Sequence, residues 1–97
     1  MNRYLVLATF TDQGIRTVKE TTKRAAAVRE MGAQFGVQVK DIYWTLGAYD
    51  IALVLEASDD AAMTAFGMSI GAQGNVRTQT LRAFNADEMQ GILGKVR

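Results

Sequence analysis

A tyrosine and an aspartate stand side by side behind a glycine at Tyr49 and Asp50. A phenol next to a carboxylate beside a chain reversal can bind a small ligand or take a proton from it, provided both groups face inward. A structural account competes and is preferred: Asp accepts backbone N–H bonds in turns, and Tyr plugs the end of a core while its hydroxyl finds a carbonyl. Six residues earlier come Tyr43 and Trp44. As neighbours on a strand they must point to opposite faces, so at most one lines any cavity, and packing is the default for both. Thr78, Thr80 and Arg82 recur at two-residue spacing and so share one face of a strand. An arginine behind two hydroxyls on an apolar sheet makes an anion or carbonyl site; alternatively Arg82 pairs with Asp50 or Glu56 as an ordering salt bridge. The two readings stand even. Thr11-Asp12-Gln13-Gly14 and Arg16 lie where small-ligand mouths often open, but the run is too short for a phosphate loop and reads as a turn. Gly67 and Gly71 permit a close approach of a helix, and Met63, Met68 and Met89 read as gap-filling apolar residues.

Composition removes whole classes of chemistry. The 97 residues contain no cysteine and no histidine, which excludes thiolate nucleophiles, disulfides, imidazole acid–base work and nearly every nitrogen- or sulfur-ligated metal site. No cofactor is expected, and no EF-hand or clustered acidic loop offers Mg or Ca a site. Eleven basic against ten acidic residues leave a net charge of +1, too small a field to gather nucleic acid. Lys19, Lys23, Arg24 and Arg29 recur on one helix side, but Glu20 and Glu30 interrupt them, so they read as a solvated face. The opening apolar run, from Tyr4, is too short for a signal sequence or a membrane span, so a soluble, cytoplasmic protein is expected.

The elements that must position these residues follow from pattern. Tyr4 to Phe10 is a β-rich run, apolar on both alternating faces. From about Thr22 to Phe35, Ala25, Val28, Met31 and Phe35 recur every three to four residues and predict an amphipathic helix, ended by Gly36. Val37 to Leu46 alternates less cleanly, and with Tyr49 to Ala57 it forms a predicted hairpin around Gly47-Ala48. Ser58, Asp59 and Asp60 start a second helix, with the Ser58 hydroxyl as the expected cap; it carries Met63, Phe66 and Ile70 inward and stops near Gly74. Val76 to Phe84 is the last strand, and Asn85 with Glu88 forms an approximate capping box for a short final helix. The order β-α-β-β-α-β in one domain, residues 1–97, implies a four-stranded antiparallel sheet with two helices on one face and a short C-terminal helix. Strands one and three are nonetheless apolar on both faces. A second copy of the chain, sheet on sheet, is the economical cover for the other face.

The text around the turn resembles the GYD-domain family, named for glycine, a spacer residue, then tyrosine and aspartate, here Gly47-Ala48-Tyr49-Asp50. The resemblance extends to Phe10-Thr11-Asp12-Gln13-Gly14-Ile15, Lys23-Arg24-Ala25, Tyr43-Trp44-Thr45-Leu46, Gly74-Asn75-Val76-Arg77-Thr78 and Thr80-Leu81-Arg82-Ala83-Phe84, spanning roughly residues 3–90. One departure is Ser58, where the family often has proline before the paired acids; either residue starts a helix. The resemblance implies an α+β, ferredoxin-like half of a dimeric α+β barrel and a family whose role is uncharacterised. It implies no substrate.

Together these readings lead to a small-molecule-binding homodimer with a pocket at the sheet face, lined from Tyr43, Trp44 or Tyr49 and polarised by Asp50, Thr78, Thr80 and Arg82. The first alternative is a cofactor-independent enzyme of oxygenase or isomerase type, with Asp50 or Tyr49 as base and Arg82 stabilising a developing anion. The second is a structural module whose activity is self-association, as a homodimer or a higher oligomer.

Overall fold

The computed structural model describes residues 1–97. Four strands, β1 (Asn2–Phe10), β2 (Val37–Trp44), β3 (Ile51–Ala57) and β4 (Val76–Ala83), form one antiparallel sheet in the order β2-β3-β1-β4. Four α-helices join them: α1 (Asp12–Arg16), α2 (Thr21–Gln34), α3 (Asp60–Ala72) and α4 (Ala86–Leu93), with a 3-10 turn at Val18–Glu20. The fold is the expected α+β, ferredoxin-like one, with β1 and β3 in the middle of the sheet.

Register decides which side chains meet the helices. Tyr4, Val6 and Ala8 of β1 lie beside Leu55, Leu53 and Ile51 of β3. These face α2 and α3, and all but the half-buried Ile51 join Val37, Val39, Met63, Phe66 and Ile70 in the buried core. Leu55 and Phe66 are fully buried, which places about 1.5–3 kcal/mol of hydrophobic stabilisation in each. Phe35, at the end of α2, meets Phe66 of α3 with ring centroids 5.7 Å apart, so the two helices converge there. Gly36 ends α2 in the left-handed region, φ 72°, as only a residue without Cβ does cheaply.

The uneven alternation of β2 has a physical cause. The β2–β3 register slips between Val39 and Asp41, so Lys40 is an extra, bulged residue. A bulge reverses the parity of the strand. Val37 and Val39 face the helices before it; after it, Ile42 and Trp44 do, while Asp41 and Tyr43 turn to the other side.

Two sequence expectations need correction. The α3 cap is Asp59, whose carboxylate accepts from the Ala62 N–H at 2.8 Å, and the Ser58 hydroxyl is not used. An ionised cap at the positive helix end gains from the dipole as well as the hydrogen bond, which favours Asp over Ser. Thr11 to Gly14 is also more than a turn. Thr11 Oγ1 accepts from Gly14 N at 3.1 Å and opens α1, while its hydroxyl donates to Gly74 O. Gly14 lies against the Asn75 carbonyl with no room for a Cβ, so α1 is pinned onto the α3–β4 connection. The capping box at Asn85 and Glu88 is present as expected.

The close approach at Gly14 yields a direct test. Gly14→Ala should destabilise the protein by about 1–3 kcal/mol through overpacking against backbone, seen as a lower urea midpoint, whereas Gly91→Ala, with open space around it, should leave the midpoint unchanged or raise it.

Candidate functional site

Asp50 has a backbone partner. Its Oδ2 accepts from Phe10 N at 2.8 Å, and its own N–H donates to Ala8 O at 2.9 Å. The carboxylate therefore prolongs the β1–β3 ladder one step past Ile51, where the incoming chain can no longer offer a carbonyl in register. Thr45 clamps the same turn: its N–H donates to Asp50 O and its hydroxyl to Tyr49 O. Gly47, at φ 112°, makes the reversal between them. Tyr49 lies over the helix-free face, where its hydroxyl donates to Gln79 Oε1 at 2.9 Å across β1. The glycine, tyrosine and aspartate are thus one latch at one end of the central strands.

Arg82 is at the other end. Register pairs it with Tyr4, whereas Asp50 reaches Phe10, six residues further along β1, a separation of about 20 Å at 3.3 Å per residue. The two groups cannot touch one substrate atom together. Nor does Arg82 pair with Asp50 or Glu56; it donates to Ala83 O at 2.6 Å and Arg3 O at 3.3 Å, and its guanidinium stacks 4.5 Å from the Phe84 ring centroid and 5.6 Å from that of Tyr4. Cation–π contact with two rings holds the charge without an acid partner. Beneath it, the buried Tyr4 hydroxyl donates to Asp60 Oδ1 at 2.5 Å. Burial first, then the bond to Asp60, push the Tyr4 phenol above its ordinary value. Glu88, near the same end, is held below the usual carboxylate range, chiefly by the Asn85 N–H it accepts and then by Arg3, with which it forms an ion pair at 3.1 Å.

The remaining candidates also divide between the two faces. Tyr43 stands on the helix-free face, 57% exposed, while Trp44 lies at the rim of the helix side and its indole N–H donates to Thr21 Oγ1 at 3.0 Å. Thr80 and Thr78 lie under α3. Of the seven residues singled out, only Thr78 lines the partly open cavity between helices and sheet.

That cavity, of about 70 Å³, is a slot that the sequence did not reveal. It opens where α2 and α3 part, away from the Phe35–Phe66 contact: Ala25 and Val28 form one wall, Gly67 and Ile70 the other, and Val6, Ala8 and Leu53 the floor. Small residues at Ala8, Ala25 and Gly67 leave the space unfilled. Its polar lining residues are Thr21, Arg24, Gln73, Asn75 and Thr78. Spacing alone puts Arg24 on a solvated face, yet it is half-buried, donating to Gly14 O at 3.1 Å and Thr17 Oγ1 at 2.8 Å. Arg29 is similarly used, donating to Val39 O at 2.6 Å. No group of three or more acidic side chains is arranged to hold a metal ion, and no helix is long and apolar enough to cross a membrane.

The opposite face of the sheet has neither α2 nor α3 over it, and α4 reaches it only at one end, through the Arg3–Glu88 ion pair. Leu5 and Leu81, cross-strand partners, are each 39% exposed, and Leu7, Ala52 and Val54 beside them are half-buried only by one another. Arg3, Asp41, Glu56 and Arg77 share this face through the same register.

Two substitutions separate the structural role of these groups from chemistry. Asp50→Ala should cost about 1–3 kcal/mol by stranding the Phe10 N–H, and Asp50→Asn, which keeps an acceptor oxygen, clearly less, both read by urea denaturation. Tyr4 has its raised value only when folded, so its contribution is complete below pH 10, the ordinary tyrosine value, and is lost as pH rises from there through the folded value. Tyr4→Phe should flatten that alkaline loss in thermal melts recorded from pH 8 to 11.

Comparison with known proteins agrees with the fold. A Thermus thermophilus protein called glutamine synthetase and cystathionine beta-lyase binding protein is 37% identical over 84 residues, covering 86% of this chain and 88% of its own. A crystal structure of a protein from Thermus thermophilus superposes with a TM-score of 0.58 at 26% identity, over 89% of this chain and 96% of that one. The feast or famine regulatory protein from M. tuberculosis, complexed with L-methionine, shares the fold with a TM-score of 0.68 at 19% identity; 89% of this chain covers 52% of it, so the chain spans about half the regulator's length. The GYD domain matches over residues 4–93, and the chain belongs to the GYD-domain family.

Proposed function

We propose that the chain is a binding protein that works as a cytoplasmic homodimer, closing its helix-free sheet face against a second copy and docking the pair on a larger enzyme. One observation carries this reading: Leu5, Leu7, Val54 and Leu81 form an apolar stripe on a face that no element of the protomer covers. Burying four such side chains contributes on the order of 5–10 kcal/mol before association costs, at roughly 1.5–3 kcal/mol each. Twofold symmetry suits the patch, because its central leucines are ringed by both signs of charge, Arg3 and Arg77 with Asp41 and Glu56, and a self-complementary surface needs both. The protomer is also flat, with Cα extents of 50 × 31 × 18 Å and a radius of gyration of 14.5 Å, against about 12.5 Å for a compact domain of this length. Two such slabs stacked back to back make a rounder particle.

The docking step rests on the relative whose name gives glutamine synthetase and cystathionine beta-lyase as what it binds. Enzymes of that kind are the partners to test first. A binding role suits a chain in which Asp50 and Arg82, the best acid–base pair the sequence offered, are both engaged by backbone groups at opposite ends of a strand. A small-ligand role is a second reading, favoured by the slot between α2, α3 and the sheet.

Sedimentation equilibrium on the intact chain should give a dimer mass at micromolar concentration. Replacing Leu5 and Val54 together by lysine should give monomers with unchanged far-ultraviolet circular dichroism; a wild type that stays monomeric at 100 micromolar, a concentration on the order of many weak dimers' dissociation constants, would remove the dimer. Surface plasmon resonance with purified glutamine synthetase and cystathionine beta-lyase then tests docking, and no binding to either leaves self-association as the activity.

A further inference from the structure

We infer that the slot between α2, α3 and the sheet is a binding site for a short-chain monocarboxylate, its alkyl tail among the small apolar residues and its carboxylate at Arg24. This deepens the small-ligand reading and rests on it. The slot's walls are almost wholly hydrocarbon, and its volume is about 70 Å³. A dry cavity of about 150 Å³ holds benzene, so half that volume takes an alkyl group of about three carbons. A branched C4 acid, with its isopropyl tail, matches this size; a ring or a longer chain exceeds it.

The mouth sets the charge. Among all the residues lining the slot, Arg24 is the one with a formal charge; no aspartate or glutamate lines it. Arg24 also forms no ion pair, since the salt bridges of the chain are Arg3 with Glu88 and Lys23 with Glu20. Its two hydrogen bonds go to neutral oxygens of Gly14 and Thr17, which orient the guanidinium without compensating it. A held, half-buried and uncompensated guanidinium favours a carboxylate, to which it can donate twice. Thr21, Asn75 and Thr78, which also line the slot, supply neutral donors. Glu20, the residue before α2, makes no capping hydrogen bond and is paired with Lys23, so that acid already has a cation partner.

Isothermal titration and amide chemical-shift mapping of the full chain with 2-methylpropanoate, and separately with 2-methylpropanol, test the site and the ligand class independently. Expected are shifts centred on Gly67 and Thr78 with both probes, and at least tenfold tighter binding of the acid. Arg24→Gln should remove that preference while leaving the alcohol's affinity unchanged, which also verifies that the slot stays folded. Ala25→Leu should weaken both probes tenfold or more, with an unchanged or raised melting temperature because the added methyls fill the slot. Equal binding of acid and alcohol would overturn the carboxylate assignment and keep the ligand pocket; no binding of either would overturn the pocket as well.

Discussion

A single sheet with hydrocarbon on both sides, and helices enough for one of them, is the constraint from which the other features follow. On the helix side the demand is met within the protomer. Tyr4, Val6, Ala8, Leu53 and Leu55 pack against Met63, Phe66 and Ile70, and only 13 of 97 residues are buried in all. A chain of this size has little surplus with which to hide a second face. Leu5, Leu7, Val54 and Leu81 therefore stay at the surface, and the case for a partner is thermodynamic before it is functional.

The turn that gives the family its name makes sense in the same terms. Two central strands must both end at the same edge, and the last N–H of β1 has no carbonyl opposite it. Asp50 supplies the missing acceptor, and Thr45 and Gly47 hold the chain so that it does. Tyr49 then bridges over β1 to Gln79 on the helix-free face, so the latch shapes the surface a second copy would meet. At the far end Arg82 lies over Tyr4 and Phe84 while Tyr4 bonds Asp60, a closure built from burial and cation–π contact. Both ends of the sheet are thus fastened by polar side chains turned to backbone or ring, with none left facing a common substrate.

The helix-side slot is a consequence of how α2 and α3 are splayed. They touch at Phe35 and Phe66 and separate toward the start of α2. Glycine and alanine at Gly67, Ala25 and Ala8 do not fill the gap, and two of its lining residues, Arg24 and Asn75, are also the ones that hold α1 at Gly14. Packing to full density would need only larger residues at these three positions.

Elements whose signal is local were legible in the sequence. The strands β1 and β3, the helices α2 and α3, the stop at Gly36 and the capping box at Asn85 and Glu88 each follow from periodicity or from chemistry within four residues. So did the two-sided hydrophobicity of β1 and β3, because strand alternation is read directly from side-chain order. The absence of cysteine and histidine likewise fixed what chemistry is closed to the chain. Tertiary structure decided the rest. The bulge at Lys40 chose the faces of Tyr43 and Trp44, since one inserted residue reverses every side chain after it, and the uneven alternation of β2 does not say where the insertion falls. The partner of Asp50 at Phe10, the contact of Arg82 with Tyr4, the bond of Arg24 to Gly14 O, and the glycine of α1 pressed on Asn75 all join groups at least ten residues apart. The slot is the clearest case: it exists because two helices diverge, and divergence is a property of packing between elements rather than of any one of them.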